Sequence, residues 1–158
     1  MWNIPFAMVK LLLTKELGRL AKWLRILGYD AEYFKENNPA SLIIQALRQE
    51  RIILTRNHRL PASRGIKIIT LKEQDLKAQL VEVLRELRLK PQAEQMFCRC
   101  TICNKELVSI DKNKIKEKVP EYVYNTQENF FVCTVCNRIY WQGTHWGNVE
   151  KILREINE

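Results

Sequence analysis

The sequence predicts an α/β fold, a parallel sheet of about four strands with helices on both faces, followed by a small cysteine-bearing module. Three observations lead there. Short apolar runs alternate with stretches of helical period through residue 92. The runs are continuously apolar rather than alternating, as strands covered on both faces require. Beyond Lys90 and Pro91 the pattern changes to short strands, aromatics and two CxxC pairs, so the 158 residues divide into 1–92 and 93–158.

The first element is the run "VKLLL" at 9–13, of buried-strand type. "TKELGRLAKWLRILG" then takes up a helical period, with Leu17, Leu20, Ala21, Leu24 and Leu27 on one face. Thr14 is placed to cap this helix and Gly28 to end it. The opposite face repeats Glu16, Arg19, Lys22 and Arg25 and is mostly basic. "AEYF" at 31–34 reads as a second strand. "NNPASLIIQALRQE" reads as a helix with Asn38 at the cap and Pro39 in the first position. "RIILT" and "IKIITL" are the third and fourth strands. "EQDLKAQLVEVLRELRL" closes the region as an amphipathic helix through Leu76, Leu80, Val83, Leu84 and Leu87. After the cysteines a final helix falls on "GNVEKILREI". No internal repeat or low-complexity tract stands out.

The composition, 46% hydrophobic, supports a sizeable core and argues against global disorder. The apolar start "MWNIPFAMVKLLL" is broken by Lys10 and followed by no small-residue cleavage site. No run is long enough to span a membrane. The expected location is cytoplasmic. Net charge is +8, unevenly spread. Residues 1–92 carry 17 Lys and Arg against 9 Asp and Glu, whereas 93–158 carry 9 against 9. The excess therefore sits on the first part of the chain, where it suits a polyanion: RNA, DNA or an acidic protein surface.

Cys100-Thr-Ile-Cys103 and Cys133-Thr-Val-Cys136 are spaced as in a zinc ribbon, each pair turning two sulfurs toward one tetrahedral ion. A disulfide framework is the alternative for such spacing. Four thiolates leave Zn²⁺ no open position for water, so the site reads as structural. Cys98 is a fifth, bystander thiol. Downstream, "NRIYWQGTHWGN" groups Tyr140, Trp141 and Trp146 with Arg138 and His145. These rings either stack on unpaired bases or pack the module.

Taken together, "LGRLAKWLRILGYD", "RIILTRNHRL" and "FFVCTVCNRIYWQGTHW" resemble the PIN-like RNase family named for the Mut-seven C-terminal domain, from about Lys10 to Trp146. The resemblance implies a Rossmann-type PIN-like domain fused to a zinc ribbon. It also implies RNA cleavage by acidic residues that hold Mg²⁺ or Mn²⁺ at the carboxyl end of the sheet. Carried over by position, the family's acids fall on Thr14, near Ser41, and on Asn57, all neutral here; Asp30 alone matches.

The leading expectation is therefore an RNA-binding protein of the RNase family with a degenerate acidic site and weak or no cleavage. Its ligand is RNA, with structured RNA or a ribosomal particle as the kind of partner. Lys15, Arg19, Lys22, Arg25, Arg56, His58 and Arg59 would meet that RNA, with Trp141, His145 and Trp146 on the second module. One alternative is an active ribonuclease with a rearranged site built on Asp30, Glu16 and Glu32, using Mg²⁺ or Mn²⁺. The other is a protein-interaction module whose basic face docks an acidic partner.

Overall fold

The computed structural model describes residues 9–142 and 145–157. Four strands, β1 (Lys10–Thr14), β2 (Asp30–Phe34), β3 (Ile52–Thr55) and β4 (Ile68–Thr70), pair in parallel in the order β2-β1-β3-β4. The chain runs outward from β1 to β2 through helix α1 (Gly18–Ile26). It then crosses back over β1 to β3 through helix α2 (Pro39–Gln49). With right-handed crossovers, this reversal of direction puts α1 and α2 on opposite faces.

Side-chain packing agrees. Leu12 and Ile53 share one face of the sheet and pack with Leu42 and Ala46 of α2. Leu11, Leu13 and Leu54 point the other way and are fully buried. On that side α1 packs against β1, β2 and α3 (Leu76–Glu86). The unbroken apolar runs of the strands are thus explained, since each residue has a covered face to enter. Burying one such leucine is worth roughly 1.5–3 kcal/mol.

Helix ends follow local chemistry with one exception. The Asn38 side chain accepts from the backbone of Ala40 and Ser41 and caps α2, with Pro39 behind it. Asp75 does the same for α3 through Ala78. Gly28 takes a positive φ of 96° just past α1, which any side chain would resist. Thr14, however, caps nothing. A 3₁₀ turn, Lys15–Leu17, separates it from α1, and its hydroxyl is drawn elsewhere.

The chain divides between Met96 and Phe97 into two units. In the second, β5 (Val108–Ile110), β6 (Phe130–Val132) and β7 (Ile139–Trp141) form an antiparallel sheet in that order. Helix α4 (Glu121–Thr126) lies in the β5–β6 connection, and Ile115, Val119 and Val123 from this stretch form a core with Phe130. Helix α5 (His145–Asn157) ends the chain. Among the described residues no helix is long and apolar enough to cross a membrane.

Candidate functional site

In the strand order β2-β1-β3-β4, connections leave β1 in one direction and return to β3 on the other side. A crevice opens at the carboxyl ends of those two strands. Thr14 ends β1 and Thr55 ends β3, so the register brings their hydroxyls within 3.0 Å of each other. Into this gap reaches Glu16, carried by the 3₁₀ turn.

One carboxylate oxygen of Glu16, Oε1, accepts from Thr14 Oγ1 at 2.6 Å, Thr55 Oγ1 at 3.2 Å and the Arg56 backbone N–H at 2.9 Å. Each hydroxyl has a single proton, and both can be directed at Glu16, while Thr55 Oγ1 accepts in turn from Asn57 N–H. Burial works to raise the pKa of Glu16. The hydrogen bonds from Thr14, Arg56 and Thr55 outweigh it and hold the group below its ordinary value of 4.5. Glu16 is a preorganised carboxylate at the switch point of the sheet.

The crevice encloses about 170 Å³ and is lined also by Lys15, Glu36, Asn38 and Asn57. Its charged lining is one lysine against two glutamates, so the floor itself is not basic. Asn57 spends its side-chain carbonyl on the Arg59 backbone N–H, 3.0 Å away, closing the turn after β3. Ser41 sits in the first turn of α2 and does not line the crevice.

Other sequence-designated residues separate. Asp30 begins β2 opposite Lys10, at the amino edge of the sheet. It lies four strand steps, roughly 13 Å, from the carboxyl edge. There it meets Arg51 Nη1 at 2.7 Å, and Arg51 also donates to the Leu11 carbonyl. The structure therefore does not bring Asp30 to Glu16. Glu32 faces the α2 side beside Leu12, in mid-strand.

Lys15, Arg19 and Lys22 are exposed, as are His58 and Arg59, while Arg56 is half-buried. Arg25 does not join that face. It is 7% exposed, and its Nε donates to the Ala31 carbonyl at 2.8 Å, tying α1 to β2. The three-residue recurrence suggested a shared face, but successive three-residue steps rotate well away from the starting direction on a helix of 3.6 residues per turn.

In the second unit the four cysteines converge, with all sulfurs within 4.8 Å of one another. Cys100 Sγ and Cys136 Sγ are 3.7 Å apart, far too long for a disulfide. A tetrahedron with Zn–S of 2.3 Å requires about 3.8 Å between sulfurs. The donor set thus fits one tetrahedral, thiolate-binding ion. Among the described residues no other group of three or more His, Cys, Asp or Glu side chains is gathered in this way. Cys98 stays outside the group.

Both pairs are built alike. Asn104 N–H donates to the Cys100 carbonyl and Asn137 N–H to that of Cys133, each asparagine having φ near 60°. Cys100 N–H donates to the Lys105 carbonyl as Cys133 N–H does to Arg138. The repeated strings "CTICNK" and "CTVCNR" encode this pair of turns, an internal repeat too short to stand out along the chain.

Tyr140 and Trp141 divide their roles by strand alternation. Trp141 pairs with Phe130 in register and packs against it, ring centroids 6.5 Å apart. It is half-buried and packs against the unit's core. Tyr140 turns to the opposite face, and its hydroxyl lies 3.0 Å from Cys100 Sγ. Burial works against ionisation of Cys100, but hydrogen bonds from Tyr140, Cys103 and Ile102 bring its pKa down to about 6. The side chains of His145 and Trp146 lie outside the described residues.

Sequence reasoning missed Glu36, Asn38 and Thr55 as parts of the crevice. Asn38 and Glu36 had a usable signal, since the loop between a second strand and second helix of this topology rims the switch point.

A family model described as Mut7-C RNAse domain matches residues 9–153. No curated protein and no solved structure matches the chain.

Proposed function

The chain belongs to the Mut7-C RNase family, and from that premise we propose that it binds RNA at the carboxyl edge of its parallel sheet and cleaves it weakly or not at all. One observation carries the reading. At the switch point Thr14, Thr55 and Asn57 present neutral groups, and Glu16 is the one carboxylate held there, by the two threonine hydroxyls and the Arg56 N–H. Metal-assisted phosphodiester hydrolysis needs several carboxylates on one hard cation. Glu36 lines the same crevice, but no group of three acids forms there among the described residues.

RNA is drawn by the surroundings of the crevice rather than its floor. Lys15, Arg19, Lys22 and Arg59 are exposed, and residues 1–92 hold the whole of the chain's charge excess. Backbone phosphates along these groups position the strand without requiring hydrolysis. The fold is PIN-like in this reading. The four-cysteine site takes Zn²⁺ in a structural role, with Cys100, Cys103, Cys133 and Cys136 as ligands and no open position. Bound zinc would supply folding energy, not a reaction step.

The test is end-labelled single-stranded and hairpin RNA incubated with Mn²⁺ or Mg²⁺ and resolved for both mobility and length. The expected result is shifted, uncut RNA, with affinity falling steeply as salt rises, by a log–log slope of about −0.7 per phosphate contact. Metal-dependent cuts that vanish in Glu16→Gln and Glu36→Gln favour a second reading. In it those two carboxylates, which share the crevice, rebuild a nuclease site.

A further inference from the structure

We propose that Tyr140 is an outer member of the metal centre, whose hydroxyl holds the Cys100 thiolate and slows loss of the ion. The inference rests on the reading of the four cysteines as a zinc site. Tyr140 comes from β7, beyond the second cysteine pair, yet its hydroxyl reaches Cys100 of the first pair at 3.0 Å. A metal-bound thiolate carries no proton, so in the loaded site the phenol must be the donor. The same oxygen accepts from the Thr101 backbone N–H at 3.3 Å, and Thr101 Oγ1 lies 3.4 Å away, farther than the Cys100 sulfur at 3.0 Å. The Cys103 backbone N–H adds a second bond to Cys100 Sγ at 3.3 Å.

Cys100 Sγ is therefore held by two hydrogen bonds, from the Tyr140 hydroxyl and the Cys103 backbone. Like Cys133 it is completely buried, whereas Cys103 and Cys136 are half-buried. The tyrosine bond also crosses from one CxxC turn to the strand that follows the other. It joins the two halves of the ribbon by a route other than the ion. Partners that orient a ligand from outside the first coordination sphere typically account for 10–100-fold in metal affinity. Here the backbone bonds would remain in a phenylalanine variant, placing the expected effect toward the lower end.

The experiment uses the full chain loaded with zinc and challenged with excess chromophoric chelator. Tyr140→Phe should release zinc about tenfold faster than the wild type. Tyr122→Phe, on a side chain 71% exposed, serves as the control and should release it at the wild-type rate. In the cobalt-substituted protein, removal of a hydrogen bond to sulfur should move the thiolate-to-metal charge-transfer band of Tyr140→Phe to lower energy. A general packing defect would leave that band in place. The wild type loaded with NMR-active cadmium supplies a check without mutation, coupling between the metal and the Tyr140 hydroxyl proton. Release rate, band or coupling failing to behave in this way overturns the proposal. A wild type that does not retain zinc overturns instead the zinc reading on which it rests.

Discussion

The two chemical centres of this protein are assembled in opposite ways. In the ribbon, each pair of sulfurs is brought together by a turn of a few residues, and the same turn is used twice. At the crevice, Thr14 and Thr55 are 41 residues apart, and Glu16 bonds to a backbone N–H 40 residues away. One centre is local chemistry repeated. The other is created by strand register and would not exist in either segment alone. The difference teaches that neutral residues at expected acid positions do not by themselves define a site's charge. A carboxylate two residues further on has been turned back into the gap.

The largest test of that contrast is the loss of one thiolate. Cys133→Ser should abolish tight zinc binding and with it the folded state of the antiparallel sheet β5–β7 and its core, since structural zinc in small modules supplies about 10–16 kcal/mol of apparent binding energy. Zinc content and protease protection of the second unit are the measurements. Protection unchanged in the variant would mean that the core of Ile115, Val119, Val123 and Phe130 suffices without the ion.

At the crevice a single change should cost far less, because its bonds are distributed. Thr55→Val keeps the shape of a fully buried side chain but removes the hydroxyl that donates to Glu16 and accepts from Asn57 N–H. A loss of about 1–3 kcal/mol is expected in urea unfolding, from backbone and carboxylate groups left short of a partner. A neutral outcome would show that water replaces the hydroxyl.

These assemblies also explain what could be read from the chain. The sheet and its flanking helices were legible because Leu12, Leu42, Ala46 and Ile53 obey simple periods and caps. The convergence of the four cysteines was legible because CxxC spacing reports a turn. Asp30 was misjudged as a partner of Glu16 because sequence proximity hides which end of a strand a residue occupies; it starts β2 and pairs with Arg51. Trp141 and Tyr140 are adjacent, and only the pleat decided that one packs against Phe130 while the other reaches Cys100. Thr14 had the right chemistry for a cap, but a nearby carboxylate and Thr55 hydroxyl offered better partners than a helix N-terminus.

Asn38 lies on the boundary between the two kinds of construction. Its cap on α2 is local, yet it also lines the crevice. Asn38→Ala should destabilise the first unit by about 1 kcal/mol, within the range of 0.5–2 for lost caps. Differential unfolding monitored through Trp23 gives the value. A much larger cost would mean that the crevice, and not the cap alone, depends on it.

The smallest expected effect concerns pH. Glu16 titrates below its ordinary value of 4.5 in the folded chain because Thr14, Arg56 N–H and Thr55 favour the carboxylate over the acid, against the effect of burial. Well above pH 4.5 both folded and unfolded chains carry it ionised, and its full contribution to stability is present. As pH falls below that value the unfolded chain binds the proton first, so the contribution declines until pH has passed through the folded pKa. The amide of the Glu16→Gln variant cannot titrate. The wild type minus Glu16→Gln difference in unfolding free energy should therefore be flat from roughly one unit above the ordinary pKa upward, and shrink on acidification. A difference that stays constant into the acid range would mean that the three donors bind the protonated acid equally well, and that Glu16 is merely placed at the switch point rather than held there as an anion.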